Sequence, residues 1–129
     1  MSKTDPQIEL LLASTSPFRK RLLGQLAVKF RTLDPGIDES PLPGEKPETL
    51  VRRLSIAKAR AVVSRAHETL IIGSDQVAVH RGAIVGKPRD HADAVAQLLS
   101  SSGKTITFFT SVSLLNSSTG NLQTEVVPY

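Results

Sequence analysis

The sequence contains no cysteine, which excludes a disulfide framework, a thiol nucleophile and a zinc–thiolate site. No apolar run is long enough to span a bilayer, and Met1 to Gln7 is polar, without the apolar core of a signal peptide. A cytoplasmic protein with no membrane partner is the expectation. Long blocks of lysine and arginine are missing too. Aromatic residues are only 4% of the chain, and although Phe18 sits among cations, a basic stripe with stacking aromatics is lacking. A pI of about 9.8 therefore leaves nucleic-acid binding as the weakest of three readings. There is no Gly-x-x-x-x-Gly-Lys-Ser/Thr phosphate loop, no dinucleotide fingerprint and no Gly-x-Ser-x-Gly elbow. His67, His80 and His91 lack the close spacing of metal ligands and read as structural or solvated.

What is present fits one soluble α/β domain over residues 1–129, with 40% hydrophobic and 22% charged residues. Sixteen Lys and Arg against twelve Asp and Glu give +4, a mild bias that suits an anionic small molecule. The chain is organised around Leu10 to Arg21. An apolar run ends in Ser14-Thr15-Ser16, followed by Pro17, Phe18 and the cations Arg19, Lys20 and Arg21. Ile8 to Ala13 does not alternate and reads as a strand buried on both faces. Ser16 suits the N-cap and Pro17 the first position of a helix running to about Gln25, with Leu22, Leu23 and Leu26 on one side. Such a corner offers free N–H groups and a positive dipole end to a phosphate. It is equally an ordinary strand–helix corner with a solvated basic face.

Further along, Val28 to Leu33 reads as a short strand and Asp34 to Lys46 as a loop rich in proline and glycine, holding Asp38 and Glu39. Pro47 opens a helix to about Ala66, with Leu50, Leu54, Ala57 and Ala61 as its core-facing stripe; beside that stripe, Lys58 reads as solvated. Leu70 to Gly73 is a buried strand that delivers Ser74-Asp75-Gln76 at its end, where a turn-capping aspartate is as good a reading as a catalytic one. Val77 to Val79 resumes the apolar pattern. Arg81-Gly82 is a turn and Ala83 to Val85 pairs back as a hairpin, closed by Gly86-Lys87-Pro88. Asp90, with Asp93, caps a helix that Gly103 ends. Thr105 to Leu115 and Leu122 to Val127 form a last hairpin about Asn116 to Asn121. If the Ser14–Arg19 corner, Glu39, and Asp75 with Lys87 converge, they supply cations for phosphates and carboxylates for a metal or for activating water.

Together, Leu12-Ala13-Ser14-Thr15-Ser16-Pro17-Phe18-Arg19, Leu22-Leu23, Asp38-Glu39, Lys58-Ala59, Ile72-Gly73-Ser74-Asp75-Gln76 and Gly86-Lys87-Pro88 resemble the Maf family of nucleotide pyrophosphatases, over nearly the whole chain from Ile8. The resemblance implies a twisted mixed sheet flanked by helices, related to the inosine-triphosphate pyrophosphatases. It implies hydrolysis of a nucleoside triphosphate between the α and β phosphates with Mg²⁺ or Mn²⁺, a house-cleaning role. By position, Asp75 matches the proton acceptor and Glu39 an acidic residue of the metal or catalytic cluster. Asp75 and Glu39 are the expected metal ligands, and Lys87 joins them as the third catalytic residue. Ser14, Arg19 and Lys58 match residues around the triphosphate. Phe18 with Gln76 resembles the 7-methyl-GTP pyrophosphatase subgroup, where members acting on dTTP and UTP carry arginine and threonine. A homodimer is among the assemblies this reading allows. Family chains run on for roughly another third, so the fold is expected to be incomplete after Tyr129. A non-catalytic nucleotide-binding module is the second reading.

Overall fold

Strands and helices alternate through the first half of the chain, and a run of antiparallel strands follows. The computed structural model describes residues 9–85, 92 and 105–128. β1 (Glu9–Ala13) leads to α1 (Pro17–Gly24), β2 (Arg31–Leu33) and α2 (Pro47–Ala61), which ends in a 3-10 turn at Val63–Arg65. Then come β3 (Thr69–His80), β4 (Ala83–Val85), β5 (Thr107–Asn116) and β6 (Leu122–Pro128). The mixed sheet has the order β2-β1-β3-β5-β6, with β4 also against β3. β1 lies parallel to both neighbours, whereas β3–β5 and β5–β6 are antiparallel.

This central position explains why β1 is apolar from Leu10 to Ala13: Leu11, Leu12 and Ala13 are all buried. Leu11 and Ala13 join Ala59, Val62, Ala66, Ile71 and Leu115 in the main core cluster. Each large apolar side chain removed from water there contributes about 1.5–3 kcal/mol before entropy is counted.

α2 packs on one face of the sheet, against β3 and β5 above all. Pro47 and Glu48 at its start and Lys58 and Arg60 near its end match the helix dipole. Its buried residues are Leu50, Val51, Leu54, Ser55, Lys58 and Ala59, so the helix is turned from the expected stripe. Ala57 and Ala61 lie at the margin, and Lys58 is buried rather than solvated. The cause is Gly73 on β3. It lets the small Ser55–Ala59 row approach the sheet backbone directly.

Two other expectations change. β3 does not stop at Gly73 but runs on to His80, because β5 pairs with it from Leu70 to Val79. Asp75 is therefore mid-strand and buried, not a turn cap. α1 forms as expected but buries none of its residues, and Leu22 and Leu26 are exposed, because no described strand packs closely against it. The hairpin between β3 and β4 turns through Arg81 and Gly82, both at positive φ, the primed geometry that fits twisted strands. The expected helix from Asp90, with Asp93 and Gly103, and the Gly86-Lys87-Pro88 segment lie outside the described residues apart from Ala92.

Candidate functional site

On one edge, β3 is flanked by β1 as far as Ile72 and by β4 only from Ala78. On that edge, Gly73 to Val77 has no strand alongside among the described residues, while β5 pairs with it on the other. Here β1 leaves the sheet, and Ser14 to Ser16 turn into α1. The Ser14 hydroxyl accepts from the Ser16 N–H (3.0 Å), and the Ser16 hydroxyl accepts from the Arg19 N–H (3.3 Å), capping α1. The hydroxyl residues thus shape the corner before any ligand is considered.

A hollow of about 290 Å³ opens there, lined by Ser14 to Pro17, Arg19, the Asp34–Ile37 turn, Glu39 and Lys58. The Asp34–Lys46 loop forms its other wall along a fixed path. Asp34 and Asp38 each accept an N–H two residues on, from Gly36 and Ser40, at 2.9 Å. Arg65 donates to the Asp34 carbonyl (3.0 Å). Arg53 grips Glu45 with two bonds, at 2.7 and 2.9 Å, and also donates to the Ser40 carbonyl at 3.1 Å. This guanidinium, with help from the Leu42 N–H, holds the Glu45 carboxyl down at about 2. The Ser40 backbone N–H, first of several causes, lowers Asp38 as well.

Lys58 is the hub of the site. Its ammonium donates to Asp75 Oδ1 (3.0 Å) and the Ser74 carbonyl (3.1 Å) and pairs with Glu39 Oε1 (3.1 Å). Two of its hydrogens are engaged in hydrogen bonds, and Glu39 adds a charge pair. The Lys58 and Asp75 side chains are 4% and 7% exposed and Glu39 is 48% exposed, so the pair with Asp75 is the desolvated one. Asp75 Oδ2 is buried and has no hydrogen-bond partner among the described residues. An unpaired acceptor of this kind calls for a donor or a cation.

Among the expected site residues, Ser14, Arg19, Glu39 and Lys58 line one hollow, and Asp75 lies behind Lys58. Phe18 does not line it and is 64% exposed. Gln76 alternates to the sheet face opposite Asp75, where its amide donates to Thr110 Oγ1 (3.0 Å). Lys87 lies outside the described residues. Sequence reasoning missed Arg53, which anchors the acidic loop across eight residues, a spacing with no helical signature. It missed Gly73 as well, although an isolated glycine within a strand pattern signals close backbone approach.

The family model described as "Maf-like protein" matches residues 9–128. The chain is 49% identical over 121 residues to the 7-methyl-GTP pyrophosphatase of Pseudomonas aeruginosa, covering 94% of this chain and 63% of that one. It is 51% identical over 112 residues to the protein of the same name from Vibrio vulnificus, covering 87% and 57%. It thus spans about six-tenths of the length of these curated relatives. Among solved structures, the Staphylococcus aureus Ham1 protein superposes with a TM-score of 0.56 at 15% identity, over 93% of this chain and 70% of that one, a likeness of fold.

Proposed function

The chain belongs to the Maf-like family, and on that premise we propose that it serves hydrolysis of a nucleoside triphosphate at the α–β anhydride, with 7-methyl-GTP as the substrate. The observation that carries this is the Lys58 hub: a buried ammonium joining Asp75 to Glu39 beside a hollow at a helix N-terminus. Water attacks the α phosphorus as its proton passes to Asp75. A new P–O bond forms, the α–β bridging bond breaks, and monophosphate and pyrophosphate leave. Asp75 Oδ2, unpaired among the described residues, is the oxygen that accepts the proton. Arg19, Lys58, Lys87 and the N–H groups of α1 balance the phosphate charge, with Ser14 holding the corner in shape. The hollow is at the lower end of ligand-site volumes, which suits a polyphosphate more than a whole nucleotide. The base would lie beyond it.

The described residues contain no group of three acidic or histidine side chains able to hold a metal. The donors present still fit Mg²⁺ or Mn²⁺, since Mg²⁺ commonly takes one or two carboxylates and completes its shell with phosphate and water. Asp75 and Glu39 would hold it, and it would add charge neutralisation on the phosphates. For the base, exposed Phe18 offers an aromatic face to the cationic 7-methylguanine, an attraction of about 0.5–2 kcal/mol; Gln76, whose amide is on Thr110 across the sheet from Asp75, would act on base preference indirectly. The reading carries a cytoplasmic setting, where free nucleotides are met. No described helix is long and apolar enough to cross a membrane.

The test is pyrophosphate release from 7-methyl-GTP, GTP, dTTP and UTP, with and without Mg²⁺. Asp75→Asn should keep the fold and lose turnover by at least about a hundredfold; normal release by that variant sinks the assignment. Phe18→Arg with Gln76→Thr should weaken the preference for the methylated base. Because the chain spans only part of its relatives' length, nucleotide binding without hydrolysis is the second reading. A thermal shift with nucleotide but no release would select it.

A further inference from the structure

At one place helix and sheet meet with no side chain between them. A methyl group on Gly73 would lie 2.0 Å from the Ser55 carbonyl oxygen and 3.0 Å from the Ala59 amide nitrogen. The backbone of α2 therefore rests directly on that of β3. Beside the contact is a buried hydroxyl cluster. Ser55 donates to the Arg52 carbonyl (3.1 Å). A hydroxyl has one hydrogen, so Ser55 accepts from Ser111 and from Ser113, each at 2.7 Å. Ser113 then accepts from Thr124 at 2.9 Å. Ser55, Ser111 and Ser113 are fully buried, and such directional bonds oppose the sliding that apolar contacts tolerate.

The contact lies beside the reactive pair. Lys58 follows Ser55 by one helical turn on the same face. Asp75 follows Gly73 by two residues on the same sheet face, and Ser111 is its register partner on β5. The height of α2 above β3 at Gly73 thus fixes how far Lys58 must reach to Asp75.

We propose that Gly73 and Ser55 are positioning residues: their backbone contact, fastened through Ser111 and Ser113, sets the distance at which Lys58 holds Asp75. This rests on the reading of Asp75 and Lys58 as the reactive pair. Glycine is needed at position 73 for the closeness of the helix. Alanine there forces α2 outward and separates Lys58 from Asp75 with both groups intact.

Amine acetylation followed by mass spectrometry tests this without any activity. In the parent chain buried Lys58 should label slowly, and exposed Lys29 and Lys46 quickly. Gly73→Ala should raise the Lys58 rate by at least about tenfold while the backbone amides of buried β1 keep their parental hydrogen exchange, a selectivity that general loosening would not give. Should Gly73→Ala lose its cooperative melt, Ser55→Ala carries the test, with an expected rise of about threefold. Parental protection of Lys58 in a folded variant overturns the proposal. In turnover, Gly73→Ala should lower kcat by at least about tenfold with KM within about twofold, and should add nothing in a Lys58→Met background. If the parent chain releases no pyrophosphate, the proposed hydrolysis falls, while the labelling result still decides the positioning role.

Discussion

Lysine is the residue most often left on the surface, and helical periodicity places Lys58 next to a core stripe without saying whether it is buried. The structure buries it because Asp75 and the Ser74 carbonyl accept from its ammonium and the Glu39 carboxylate pairs with its charge. Its partners differ in burial, and so should the consequences of losing them. Lys58→Met leaves Asp75 charged and uncompensated in a desolvated site, and should cost about 3–5 kcal/mol in urea unfolding at neutral pH. Glu39→Gln loses a half-exposed pair and should cost less than about 1 kcal/mol. A reversed ranking would contradict the burial on which it rests. The order of the motifs made Ser14, Arg19 and Glu39 readable as neighbours. Which face of β3 Asp75 and Gln76 occupy was not readable, because the strand's length depends on β5, more than thirty residues away in sequence.

Elements contribute through their ends. α1 has eight residues, buries none of them and is shorter than a helix stable alone, so its integrity leans on the Ser16 cap. Ser16→Ala should cost α1 about 1 kcal/mol, seen as faster amide exchange in its first turn, with little change in the global melting temperature. If α1 cradles phosphate, KM should rise more than kcat falls. The acidic loop depends on Arg53. Glu45 has a folded-state value of about 2 against 4.5 for the free side chain, so it adds stability above pH 4.5 that is lost as pH falls through about 2. The Leu42 amide, which donates to Glu45, should stay protected down to roughly pH 2–3 and lose protection near pH 4–5 in Arg53→Ala. Element types were legible in the sequence from periodicity, capping residues and turn glycines. The rotation of α2 was not, since it is set by the absence of a side chain on the facing strand.

For the molecule as a whole, the sheet is covered by α2 on one face, while Phe18, Leu22, Leu26 and Val28 stand exposed around α1 and Phe108, Val112 and Val127 on the strands. Exposed apolar groups in such number promote association. Leu22→Glu with Leu26→Lys should raise the soluble concentration several-fold and shift stability by less than about 0.5 kcal/mol, since neither residue is buried. Light scattering against concentration, beside a urea melt, would check both halves. The family pattern made the α/β class and a mixed sheet legible; which apolar side chains stay wet depends on packing that composition does not encode. β3 carries Ile71 in the core and Asp75 behind Lys58 at the back of the hollow on one continuous span, paired along most of its length with β5. Many proteins place their working groups on loops that melt early. Here Asp75, the proposed proton acceptor, is hosted by the longest of the described strands, so thermal inactivation and global melting should fall at one temperature, with no inactive yet folded interval between them.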